Sequence, residues 1–336
     1  MKKVKKRYIK KITRMFALVT AAVLVMALSA CGKNSEIKLG TGNEGGVYFK
    51  FGNLIQQLDS RVTVKKTAGS QANLRLLDDG FVDMAIVQSD VLSEAVNGTG
   101  DFKNQKIESL RAVAGLYMEN FQIIVSADSD IQTVADLDGK RVSVGEDGSG
   151  VAKNAEYILN SVGLDISMLN VCNLTYAQSA EALKDKSIDA FFVVLGAPST
   201  VITDLAESTD IRVLSLDDRT VSYMTNLYSG YYPSTIKAGT YKGQTEDIKT
   251  IGVKAVLVAD SSVHNEAVKE ILTAIFDNGG KIKEDIPFAE PDKTFASSDI
   301  PCSFHQGAAV YYNDNDITVN TDPSKRTAKL VIADDN

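Results

Sequence analysis

The chain is short of the residues that most often carry metal or covalent chemistry. Among 336 residues there are two histidines, His264 and His305, and three cysteines, Cys31, Cys172 and Cys302. No pair of them has the spacing of a metal site, so no transition-metal centre is expected. There is no G-x-S-x-G elbow and no H-E-x-x-H helix, which removes the usual hydrolase signatures. His264 opens a helix, and His305 packs against the body of the fold, so neither is placed as a base. No catalytic residue is assigned, and the chain reads as a binder, not an enzyme. Long apolar runs are scarce too. The run at 15–30 has 16 residues, against the roughly 20 that cross a bilayer.

What surrounds that run gives it a meaning. Eight Lys and Arg and no acid lie between Lys2 and Arg14, and the run ends in Leu28-Ser29-Ala30-Cys31. Basic, apolar and small-residue regions in that order describe a secretory signal over 1–30. Leu-Ser-Ala-Cys resembles a bacterial lipobox, in which Cys31 becomes the lipidated first residue after cleavage. A short membrane anchor is the other reading of the same run. The expected location is extracytoplasmic, on the outer face of the cytoplasmic membrane, held by a lipid anchor. Beyond the signal stand 306 residues, enough for two domains. They carry 28 basic and 43 acidic residues, a formal charge of −15. That surface argues against nucleic acid as a partner. A small anion is not excluded, since distant charges are screened within about 10 Å at moderate salt. Cys172 and Cys302 sit in apolar stretches of different domains and are expected as buried thiols.

From residue 37 onward, strands and helices alternate, which points to parallel α/β layers. A strand at 37–40 is followed by Thr41-Gly42-Asn43-Glu44-Gly45-Gly46 and a helix with Phe51, Leu54, Ile55 and Leu58 on one face. A strand at 61–66 leads through Ala68-Gly69-Ser70 to a helix carrying Leu74 and Leu77, then to a buried strand at 84–87. The grammar repeats: a strand at 142–144, Gly148-Ser149-Gly150, a helix with Ala155, Ile158, Leu159 and Val162, and strands at 170–174 and 190–195. Apolar strands at 121–125 and 255–258 read as hinge strands, the second followed by a helix at 264–276. The predicted organisation is two lobes: 36–122 and 257–313 in the first, 123–256 in the second, with 314–336 as a loosely held tail. A short edge strand at 329–332 is a further expectation. Tyr223, Tyr228, Tyr231, Tyr232 and Tyr241 fall in what reads as a long loop region.

In open parallel α/β sheets a ligand sits beyond the carboxyl ends of the strands. Four loops leave such ends: 41–46, Gln88-Ser89-Asp90, 148–150 and Gly196-Ala197-Pro198. The first and third open into helices, whose N-termini offer unpaired amides and a positive dipole end. Candidate ligand-binding residues are therefore Gly42, Asn43, Gly45, Gly46, Gln88, Ser89, Asp90, Ser149, Gly150, Gly196, Ala197 and Pro198. Asp90 fits a ligand ammonium, or else Ser89 or Asp90 caps the helix that follows. Tyr48 and Tyr117 are candidates for a pocket wall with a hydroxyl toward the ligand, or for the core. Residues 40–45 also match G-x-G-x-x-G, but Asp59 precedes the next strand instead of ending it. No dinucleotide or other cofactor is called for.

The ordered stretches "LGTGNEGGVYFKFG", "TAGSQANLRLLDDGFVDMAIVQSDV", "LRAVAGLYMENFQIIVSADSDIQTVADLDGKRVSVGEDGSG", "IDAFFVVLGAPSTVITDLAESTDIRVL", "IKAGTYKGQTEDIKTIGVKAVLVA" and "FHQGAAVYY" span most of 37–313. Together they resemble a TAXI-type solute-binding protein, the extracytoplasmic subunit of one class of TRAP transporter. "LDGKRVSVG" also occurs in ABC-type binding proteins, and an ABC importer or a signalling receptor is the alternative partner. The resemblance implies a two-lobed type II periplasmic-binding-protein fold with two hinge strands and the ligand cleft between the lobes. It implies capture of a small carboxylate or amino acid such as glutamate or glutamine. The implied partner is a TRAP membrane subunit with fused small and large subunits, and the implied state is a monomer. The family's ligand loops fall on 42–48, 88–90, 148–150 and 196–198. Two departures stand out: Val151 where the family has a small hydroxyl residue, and Gln306 where it often has proline.

Overall fold

The computed structural model describes residues 36–147 and 149–325. The signal with Cys31, the strand expected at 329–332, and Gly148 lie outside these residues. The first part of the chain is β1 (Ile37–Gly40), α1 (Val47–Leu58), β2 (Val62–Lys65), α2 (Ser70–Asp78), β3 (Met84–Gln88) and α3 (Ser89–Asn97). Then comes one long strand, β4 (Leu110–Ser126). The middle contains β5 (Arg141–Ser143), α4 (Gly150–Ser161), β6 (Asn170–Cys172), α5 (Tyr176–Lys184), β7 (Ala190–Leu195) and α6 (Thr200–Ser208). It continues through β8 (Ile211–Val213), α7 (Asp218–Leu227) and β9 (Tyr231–Ile236). A second long strand, β10 (Ile248–Asp260), returns the chain to α8 (Asn265–Asp277), α9 (Gly279–Asp285), α10 (Lys293–Ser297) and α11 (Gln306–Asn313).

The strand order is β2-β1-β3-β10-β4-β7-β5-β6, with β8 on β4 and β9 on β10. β1 pairs in parallel with β2 and β3, and β5 in parallel with β6 and β7. The two long strands are antiparallel to each other, from Gly252 opposite Asn120 to Asp260 opposite Leu110. β10 pairs with β3 at 255–259, and β4 pairs with β7 at 120–125. The two strands therefore pass from one packed half to the other.

Each half has its own core. In the first, Phe51, Leu54 and Ile55 of α1 and Val268, Ile271 and Leu272 of α8 pack with β1, β3 and the 255–259 end of β10. The second half is covered on both sheet faces. Along β7, Ala190, Phe192 and Val194 enter one cluster, while Phe191, Val193 and Leu195 enter another. That is the two-residue period of a strand buried on both sides.

The structure departs from the sequence reading in several places. The strand expected at 121–125 is the end of β4, which starts at Leu110 because apolar residues line it through both cores. The tyrosine-rich region is α7 and β9, not a loop up to Tyr232: Tyr231 is buried, and Tyr157 and Tyr228 stack with centroids 4.2 Å apart. The segment after Asn313 is tied down as far as described, since Ile317 and Val319 pack on the first core and Phe304 N donates to Asn320 O at 2.8 Å. Cys302 is a buried thiol, as expected, whereas Cys172 is only half-buried.

Candidate functional site

The two glycine turns meet. Asn43 Nδ2 in the loop before α1 donates to Glu146 Oε2 at 2.7 Å, in the loop before α4. Gly46 forms the N-terminal boundary of α1, and its N–H donates to Asn43 O at 2.8 Å. Across from it, α4 begins at Gly150 with Ser149 as its cap, the hydroxyl accepting from Ala152 N at 3.3 Å. A Cβ on Gly150 would stand 2.0 Å from Gln88 Oε1. A side chain at this helix start would have to push the Gln88 amide aside.

Most candidates named from sequence converge here. Tyr48, Gln88, Tyr117 and Gly150 are buried together with Gly42, while Asn43 bridges from the surface. The third loop contributes unevenly. Gly196 is buried, its would-be Cβ 2.2 Å from the Phe288 ring, and that ring meets Tyr117 edge-on at 5.3 Å. Ala197 is half-buried, and Pro198 is exposed. Gly45 is also exposed, with open space around it.

One central residue was not foreseen. Glu119 on β4 is buried and accepts a hydrogen bond from Tyr48 Oη at 2.9 Å. Burial pushes its carboxyl up to about 8, opposed by hydrogen bonds from Tyr48 and Gln88, with the nearby charge of Asp90 adding to the rise. The signal was an acid in the middle of β4 with apolar residues on either side, since unpaired charges are seldom buried. Gln88 N donates to Ser70 Oγ at 3.0 Å. Among the described residues, Gln88 Oε1 and the Tyr117 hydroxyl are buried with no hydrogen-bond partner. Among the described residues no lysine or arginine is hydrogen-bonded to Tyr48, Gln88, Tyr117 or Glu119.

Ser89 and Asp90 serve a different contact. Neither caps α3: Gln88 occupies that position and makes no side-chain cap. Ser89 Oγ donates to Gly230 O at 2.6 Å and accepts from Lys254 N at 2.9 Å. Asp90 Oδ2 accepts from Asn154 Nδ2 at 2.6 Å and Tyr231 Oη at 2.7 Å. Burial raises the Asp90 carboxyl from its usual range, and these two bonds oppose the rise. One turn further along α3, Glu94 pairs with Lys153 of α4 and accepts from Tyr157 Oη at 2.8 Å. Lys153 also reaches Asp101 at 2.9 Å. This seam between α3 and α4 joins the two halves beside the glycine turns. Among the described residues no group of three or more His, Cys, Asp or Glu could hold a metal ion. None of the described helices is long and apolar enough to cross a membrane.

A family model described as NMT1-like matches residues 39–315, well over half the chain. The chain belongs to the NMT1-like family. Solved structures share its architecture at low identity. One is PhnD1 from Prochlorococcus marinus in complex with methylphosphonate, at TM-score 0.51 and 12% identity, covering 76% of this chain and 91% of that one. Another is a protein from Bordetella bronchiseptica RB50, at TM-score 0.50 and 14% identity, covering 86% and 84%. A third is the periplasmic aliphatic sulphonate binding protein SsuA from Escherichia coli, at TM-score 0.47 and 14% identity, covering 85% and 90%. At such identities the likeness is one of fold. This NMT1-like chain has the two-lobed type II fold of periplasmic solute-binding proteins, with β4 and β10 as the strands that join the lobes.

Proposed function

We propose that this protein is an extracytoplasmic solute-binding protein that captures a small anionic solute between its lobes and presents it to a membrane transporter. The observation that carries this reading is the contact of Gly150 with Gln88 across the lobes, at the mouth of two helix N-termini. Such termini suit a carboxylate because their free amides and dipole ends favour negative charge. Charge-assisted hydrogen bonds contribute roughly 1.5–3 kcal/mol each, and a micromolar complex needs about −8 kcal/mol net. Four or five such contacts suffice. Glutamate, glutamine and small dicarboxylates are the first solutes to test, with methylphosphonate as a second class of small anion. The ligand residues in this reading are Tyr48, Gln88, Tyr117, Glu119 and Gly150 with the amides that begin α1 and α4. The lobe division at 122/123 and 256/257 belongs to the same proposal, as does the lipid anchor at Cys31.

Two kinds of transporter fit. The ABC importer accords better with the comparisons. A TRAP membrane subunit is favoured by the order of motifs across 37–313. The adjoining genes separate them: an ATPase–permease pair for the first, a fused TRAP subunit for the second. Calorimetry with L-glutamate, L-glutamine, glutarate and methylphosphonate tests the solute. At least one is expected to bind in the micromolar range and raise the melting temperature; no heat and no shift from any of them would overturn the reading.

A further inference from the structure

The cleft presents a difficulty for an anion. Glu119 is buried at its centre, with Asp90 close enough to raise its carboxyl further. Glu146 closes the rim through Asn43. The nearest cations are committed elsewhere. Lys153 pairs with Glu94 and Asp101. Lys254 neighbours Val253, the β10 partner of Glu119, but strand alternation places it on the other face. Its ammonium donates to Phe295 O at 3.0 Å and Ser298 O at 2.8 Å. From α1 the Glu119 carboxyl faces Tyr48, from the β3–α3 junction Gln88 and Asp90, from its own strand Tyr117, and from α5 Tyr176. Asp90 is the one other carboxyl among them. An ionised Glu119 would repel the solute carboxylate that the turns attract.

On the basis of the solute-binding reading above, the geometry points to Glu119 as a specificity-determining residue that enters the closed cleft carrying a proton. Solute and proton are thus bound together. The protonated carboxyl keeps one oxygen as the acceptor for the Tyr48 hydroxyl and presents its O–H as a donor. Beside it the Gln88 side chain and Tyr117 hold two of the buried polar atoms that lack a hydrogen-bond partner among the described residues, Gln88 Oε1 and the Tyr117 hydroxyl. The proton comes from solvent as the lobes close and returns to solvent when they open. No bond other than O–H is made or broken. In the open form water reaches Glu119, and its carboxyl relaxes toward its ordinary range. Between that range and about 8, closure takes up one proton, and acid strengthens binding.

The test is calorimetry of the full protein with L-glutamate, L-glutamine, glutarate and methylphosphonate, in buffers of different ionisation enthalpy. The solute that binds is expected to bring about one proton with it near neutral pH, and its affinity to fall about tenfold per pH unit from about pH 5.5 to 7.5. Glu119→Gln should bind without that proton and with a flat profile. Tyr48→Phe removes a hydrogen bond that favours the ionised acid, so its loss of affinity should extend to higher pH; this variant serves if Glu119→Gln does not fold. Binding without proton exchange in the wild type would overturn the proposal and leave the solute reading intact. Proton uptake that persists in Glu119→Gln would overturn the assignment to Glu119. No heat from any of the four at any pH would overturn the solute reading and this proposal with it.

Discussion

A side chain at Gly150 would displace the Gln88 amide once the lobes meet, since its Cβ would fall 2.0 Å from Gln88 Oε1. Alanine there is favourable for the helix itself, by up to about 1 kcal/mol relative to glycine. Gly150→Ala is therefore expected to leave the melting temperature of the solute-free protein unchanged or slightly raised. Its affinity should fall at least about tenfold, or ~1.4 kcal/mol. Calorimetry beside a thermal melt checks both halves of that statement, and an unchanged affinity would show that closure does not bring α4 onto Gln88. The glycines and Gln88 were legible in sequence because they stand at strand exits. Asp90 was not. Its partners Asn154 and Tyr231 lie 64 and 141 residues away, so no local pattern distinguishes a seam contact from a cap or a ligand contact.

At the scale of elements, α4 is held at both its start and its first turn. Ser149 caps it through Ala152 N, and removing such a cap costs roughly 1 kcal/mol. Ser149→Ala should lower the free energy of unfolding in urea by about that amount. The first turn carries Lys153 into the seam against Glu94, whose carboxyl is pushed up by burial from 4.5 to about 6. A folded-state value above the unfolded one means that the native state binds the proton more tightly. The contribution is whole below about pH 4.5 and is lost as pH rises through about 6. Lys153→Met removes the cation that favours the ionised acid, so that loss should extend to higher pH. Urea melts across this range, taken relative to Glu94→Gln, measure it; identical profiles for wild type and Lys153→Met would contradict the pairing. β1 and α1 could be read from their periods, and β7 as a short apolar run ending at Gly196-Ala197-Pro198. β9 could not, because only Tyr231 and Ile236 of its six residues are buried and Tyr232, Pro233, Ser234 and Thr235 between them look like surface. The start of β4 was hidden for the opposite reason: buried on both faces, it shows no alternation.

For the whole molecule, the decisive architecture is a pair of antiparallel strands that belong to both cores. The two-lobed fold was legible because the order of strand, glycine turn and helix occurs twice before the chain returns along β10. Where the lobes touch was not legible, since the seam is made by polar pairs from distant segments. The central claim is that a small solute draws these lobes together about β4 and β10. Spin labels at Glu266 on α8 and Glu207 on α6, both exposed, report it directly in a background with Cys172 and Cys302 replaced. Double electron–electron resonance should give a broad set of distances without solute. It should narrow to the closed separation when a solute from the tested panel saturates the protein. The same distribution with and without bound solute would contradict the account.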